Sequence, residues 1–225
     1  MRIALRGILA ALMALPLACS ADTAPEPYRL GQHYKIAREE LAPADPARIE
    51  VAEAFWYGCP HCHAFEPFVA SWLAKKPADV DFVRYPASLG RPIGVLHSKA
   101  YFAAESLGVL GLTHKPLFDA LHRERQRLDT PDTLRAFFVK TAGIGAEDFD
   151  GAFTGFAVDN RVRKSEQALR ELGVSSVPVT VVELLDRTES RTGKFWRLFA
   201  PVSASPGSLA VTPVLPRLIP RPPLL

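Results

Sequence analysis

Ile49-Glu50-Val51-Ala52-Glu53-Ala54-Phe55-Trp56-Tyr57-Gly58-Cys59-Pro60-His61-Cys62 changes its character at a single point. Ile49 to Tyr57 is rich in branched and aromatic residues and lacks helical spacing, which predicts a buried central strand. Beyond Gly58, Phe65, Phe68, Val69 and Trp72 recur at three- and four-residue intervals, the spacing of one helix face. Pro60 suits the first turn of that helix, where its missing N–H costs nothing. Val80 to Tyr85, stopped by Pro86, predicts a second strand. Strand, helix, strand is a parallel crossover unit.

Working outward, helices are predicted over Leu96–Leu107, Lys115–Arg127, Thr130–Thr141 and Asn160–Leu172, with Thr130-Pro131 as a start signal and Gly173 as a stop. Val179 to Leu184 predicts the next strand. The pattern describes an α/β unit interrupted by a mainly helical insert over 90–156, with the α/β unit on either side at 22–89 and 157–200. From residue 201 to 225 prolines fall too often for a helix or a central strand, so this stretch is expected to be an extended or disordered tail.

The chain has 225 residues, 48% hydrophobic and 23% charged, enough to bury a sizeable core. Arg2 and Arg6, the apolar run Ile8 to Leu17, and the small residues Ala18, Ser20 and Ala21 have the three-part layout of a secretory signal peptide over 1–21. The formal net charge of +3 falls to 3 − 2 = +1 once Arg2 and Arg6 leave, too little for a nucleic-acid-binding surface. Leu15-Pro16-Leu17-Ala18-Cys19 offers a second route, in which Cys19 is lipidated and anchors the protein to a membrane. Either route removes or caps Cys19. Cys59 and Cys62 then remain, and one pair three positions apart is chemistry rather than a stapling framework.

Two cysteines at a helix start can close a disulfide with little backbone movement. The leading sulfur sits beside unpaired helix N–H groups and the positive end of the helix dipole, which favour a thiolate. Cys59 is therefore expected to have a lowered pKa, helped by His61. A stabilised thiolate favours the reduced form, so the disulfide form is an oxidant. In the expected cycle a substrate thiolate attacks Cys59, a mixed disulfide forms, and Cys62 is the buried resolving partner.

The segment Phe55 to Cys62, followed by strand, helical insert and Val177-Pro178 before a strand, resembles the DsbA-type thiol:disulfide oxidoreductases. The likeness runs from about Gly31 to Val182. It implies a thioredoxin-like fold with an inserted helical domain and a redox-active cysteine pair without any other cofactor. It also implies a periplasmic location, folding exported proteins as substrates, and reoxidation by a quinone-linked membrane protein. By the same resemblance Pro60 and His61 tune the pair toward oxidation, Val177-Pro178 is a cis-proline loop that grips substrate backbone, and Glu53 exchanges a proton with Cys62.

Other readings compete. Cys59-Pro60-His61-Cys62-His63 also fits the c-type haem attachment pattern, although Met1 and Met13 lie in the leader and no other methionine exists to serve as an axial ligand. The pair could instead be a structural disulfide in a non-enzymatic binding protein. Structural zinc lacks a second ligand pair, since His114 and His122 have the wrong spacing; these two and His97 read as surface or helix-packing residues. Past Val182 the expected edge strand and final amphipathic helix are not recognisable. A replaced C-terminal end, for example by a frame shift near Val179, would leave the sheet without its edge strand.

Overall fold

The structure is a computed structural model that describes residues 30–31, 34–39, 45, 47–186 and 193–199. The leader with Cys19 and the proline-rich stretch 201–225 lie outside the described residues. Five strands and six helices follow one another as β1 (Lys35–Ile36), β2 (Ile49–Phe55), α1 (Pro60–Leu73), β3 (Val80–Pro86), α2 (Pro92–Ser106), α3 (Leu110–His122), α4 (Pro131–Ala142), α5 (Ala146–Phe153), α6 (Phe156–Leu172), β4 (Val179–Asp186) and β5 (Gly193–Phe199).

The sheet order is β1-β5-β4-β2-β3. β2 and β3 are parallel, as a crossover through α1 requires, and β4 runs antiparallel to β2 with Glu53 opposite Thr180. β5 pairs antiparallel with β4 over its full length and with β1 on its other side. The expectation of a sheet without this strand is therefore corrected. Phe195, Trp196, Leu198 and Phe199 are residues that favour a strand, and the first proline after it, at 201, lies beyond its end.

β2 is buried along nearly all its length because both of its faces are covered. Ala52 and Ala54 pack with Leu169 and Leu172 of α6 and with Val179 and Val181. Val51 packs on the other face with Val80 and Val182, near Trp72 of α1. The largest cluster belongs to the helical layer, where Leu117, Phe118, Leu134, Phe138 and Phe149 surround Phe55 and Tyr57 and reach both cysteines.

The helix signals hold where the caps are local. Thr130 forms a reciprocal capping box with Thr133, accepting its N–H at 3.2 Å while donating its own at 3.1 Å. Gly173 ends α6 at φ +76°. α3 differs: it spans Leu110–His122 rather than 115–127, with Pro116 inside it. Its strong helix formers Arg123 to Arg127 leave the helix because Leu128 turns back into the helical core, 4% exposed. Tertiary burial overrides propensity there. α5, a short helix with a glycine N-cap, carried no start signal.

Phe138 is 1% exposed and packs 5.0 Å from the Phe149 ring. Phe138→Ala is expected to destabilise the protein by about 3–5 kcal/mol, read from urea unfolding followed by far-ultraviolet circular dichroism.

Candidate active site

Cys59 is the N-cap of α1, held where the chain turns out of β2 by its own N–H donating to Trp56 O at 3.0 Å. Pro60 follows as the first helical residue, and the helix places Cys62 on its inner side, 0% exposed. Cys59 is 7% exposed. The Val177–Pro178 bond is cis, and Val177 O accepts from Cys59 Sγ at 3.6 Å. The structure brings Cys59, Pro60, His61 and Cys62 together with the Val177-Pro178 loop, more than a hundred residues further along the chain.

The Cys59 thiol is lowered to about 6, first by the hydrogen bond from the Cys62 thiol, then by the backbone N–H groups of Cys62 and His61 and the charge of His61, against the cost of burial. Cys62 is pushed strongly upward by the same hydrogen bond and by burial, with the Glu53 carboxylate adding to the effect. Sequence reasoning anticipated the helix start. It missed that the partner thiol contributes most.

Glu53 is 1% exposed on β2. Burial raises its pKa to about 7, opposed by Arg84. Arg84 of β3, in register opposite Glu53, donates Nε–H to Glu53 Oε2 at 2.9 Å, while Oε1 is buried without a hydrogen-bond partner among the described residues. The other face of the Arg84 fork meets Glu66 of α1 at 3.3 Å. Glu66 in turn accepts from His114 Nε2 at 3.0 Å, and His114 Nδ1 faces Tyr57 Oη at 2.7 Å. Burial works against the charge of Glu66, but His114 and Arg84 together hold its pKa below the ordinary value.

The histidines read as packing residues have defined polar partners. His97, 2% exposed, accepts from Trp56 Nε1 at 3.1 Å and donates to Leu128 O at 3.0 Å. Burial lowers its pKa, so the ring stays neutral. His122 Nε2 lies 2.7 Å from Tyr57 O. His63 Nε2 is 2.9 Å from Asp119 Oδ1 and its ring stacks on His122. This arrangement does not fit an attached haem: the nitrogen that would ligate iron is committed to Asp119, and Cys62 is sealed inside the helical core.

Residues 95–196 match the family model described as DSBA-like thioredoxin domain. Over 175 residues the chain is 36% identical to the thiol:disulfide interchange protein DsbA of Pseudomonas aeruginosa, covering 78% of this chain and 82% of that protein. This chain belongs to the DsbA family. The corresponding protein of Pseudomonas syringae pv. tomato is 37% identical over 78% of this chain and 81% of its own length. The crystal structure of Pseudomonas aeruginosa DsbA superposes with a TM-score of 0.67 at 36% identity, covering 77% of this chain and 84% of that one. The DsbA of Xylella fastidiosa gives a TM-score of 0.64 at 27% identity, covering 75% and 87%. The DsbA-like match continues to residue 196, past Val182 where the sequence reading ended the likeness, and β5 begins in that added stretch.

In the reduced protein, thiolate absorbance is expected to rise with a midpoint near pH 6, and Cys59→Ser removes that rise. Cys62→Ala moves the midpoint upward, because it removes the largest stabilising contact. An unmoved midpoint would mean that the backbone N–H groups alone set the acidity.

Proposed function

We propose that this thiol:disulfide oxidoreductase donates the Cys59–Cys62 disulfide to folding proteins outside the cytoplasm, in the periplasm. The observation that carries the reading is the opposite displacement of two neighbouring thiols, Cys59 downward and Cys62 upward. A substrate thiolate attacks Cys59 Sγ and the Cys59–Cys62 bond breaks, leaving a mixed disulfide at Cys59. Cys62, which holds a proton strongly, takes one up as it leaves. Glu53, with a pKa near neutrality in a dry site, supplies that proton. A second substrate thiol then attacks the mixed disulfide, and Cys59 departs as the stabilised thiolate.

Pro60 and His61 act through Cys59: the proline starts the helix, and His61 contributes an N–H and positive charge. The cis loop presents Val177 O beside Cys59 Sγ, where an extended substrate backbone would pair. A cysteine-to-serine variant of a DsbA from Proteus mirabilis, 25% identical with a TM-score of 0.60, has been solved with the non-covalently bound peptide PWATCDS. Reoxidation by a quinone-linked membrane protein and export by the N-terminal leader complete the proposal. The domain assignment is an α/β unit interrupted by the helical insert over 90–156, with Cys19 as the alternative lipid anchor.

Three outcomes test this reading. The pair equilibrated with glutathione is expected to be more oxidising than the glutathione pool, without a Soret band; a strongly reducing potential would reassign the protein as a reductase or a structural disulfide. Mixed with a substrate that already carries a disulfide, Cys62→Ser is expected to accumulate a mixed disulfide, formed as the Cys59 thiolate attacks that disulfide and expels its other sulfur as a thiolate, whereas Cys59→Ser cannot, seen by non-reducing electrophoresis. The third outcome concerns pH. Cys59 lies at about 6 in the folded reduced protein against an ordinary value of 9.0, so its stabilisation is complete above the unfolded value and is lost as pH falls through 6. Raising the pH from 5 to 8 is therefore expected to increase the stability of the reduced protein relative to the oxidised one, measured by paired thermal unfolding.

A further inference from the structure

We propose that Trp56 and Arg91 form a subsite beside Cys59 that favours substrate chains with an acidic side chain next to the cysteine being oxidised; this rests on the disulfide-donor reading above. The Trp56 indole packs against the backbone of Gly58, where an added Cβ would stand only 2.3 Å from Trp56 Cζ2. The ring thus fills the place a side chain at 58 would take, immediately before the reactive cysteine. It is fixed from behind by its N–H bond to His97, which is itself anchored on Leu128 O.

The Arg91 guanidinium lies 5.4 Å from the centre of the Trp56 ring. Arg91 is exposed and makes no ion pair among the described residues. A guanidinium placed over a ring still has N–H donors for an anion, and on Arg91 no carboxylate among the described residues takes them, so a substrate carboxylate can pair there. The loop that presents it is held in place. Ala87 N–H donates to Phe55 O at 2.8 Å, Ser88 N–H to Glu166 Oε1 at 2.6 Å, and Arg91 N–H to Ser88 O at 3.0 Å. Between these contacts Leu89 and Gly90 are left-handed, at φ +51° and +71°, so the position of Arg91 is built before any substrate arrives.

The ligand is a carboxylate side chain on an extended polypeptide. Its contact with Arg91 precedes the chemical step and leaves that step unchanged: the substrate sulfur is oxidised, the Cys59–Cys62 bond is reduced, and the proton goes to Cys62.

The test uses the oxidised full chain and single-cysteine peptides of one extended sequence, with Asp, Asn or Lys on either side of the cysteine. Reduction of the protein disulfide is followed by stopped-flow intrinsic fluorescence. Each rate is divided by that of the same peptide with a small neutral disulfide, which removes differences in thiol acidity. The normalised Asp-to-Lys ratio is expected to be about three to five in the unaltered protein, the size of an exposed charge pair. It should fall toward one in Arg91→Gln, invert in Arg91→Glu, and shrink with added salt. A ratio common to all three proteins overturns the subsite and leaves the donor reading intact. Failure of every peptide to exchange overturns the donor reading, and the subsite with it.

Discussion

Glu53, Arg84 and Glu66 meet in a layer almost closed to water between the sheet and α1, with side-chain exposures of 1%, 13% and 11%. Two carboxylates share one guanidinium there, so the layer carries one negative charge too many for its surroundings. Removing one partner from a buried pair commonly costs several kcal/mol because it strands the other charge, so β2, β3 and α1 must hold their mutual register for the three charges to stay matched. The excess is relieved by holding a proton, and Glu53 is the group raised to do so. His114 supports Glu66 from the helical layer, so the same charges join the two halves of the molecule.

This arrangement explains why the two thiols diverge so far. Cys59 faces the backbone N–H groups of His61 and Cys62 and the Val177 carbonyl, while Cys62, one turn further, faces the core and the Glu53 charge. The separation follows from the pitch of α1, since residues three apart in a helix lie on neighbouring surfaces but at different depths. Few side chains are needed to polarise the pair once Pro60 has started the helix at the right residue.

Much of this was legible in the sequence because it rests on local signals. The shift of period at Gly58, the proline at 60, the Thr130 cap and the Gly173 stop each act within a few residues, and the corresponding elements lie where they were expected. The others were missed for separate reasons: α3 ends early because Leu128 is buried in the helical core, α5 has only a glycine at its N-cap, and β5 is fixed by its antiparallel pairing with β4. Arg84 illustrates the limit best. Nothing near it in the sequence names Glu53 as its partner, and only the pairing register of β2 and β3 brings them together. The available hint was an arginine well inside the strand pattern Val80 to Pro86, away from its ends. The run 49–57 read as buried; Phe55 and Tyr57 are core, whereas Trp56 is half-buried and packs against the edge of the same cluster.

The insertion of α2 to α5 between the halves of the α/β unit also sets an order of completion. Glu53 and Thr180 are partners across the sheet, yet synthesis delivers them far apart in time. As the chain emerges, β2 and α1 come first, and the helices that surround Phe55 and Tyr57 follow before β4 does. The loop bearing Val177 arrives only after α6. Long-range pairings of this kind are slow to form because a large loop must close before they are rewarded. The emerging protein therefore passes through an interval in which its cysteines exist without the Val177-Pro178 loop that lies beside them in the finished fold.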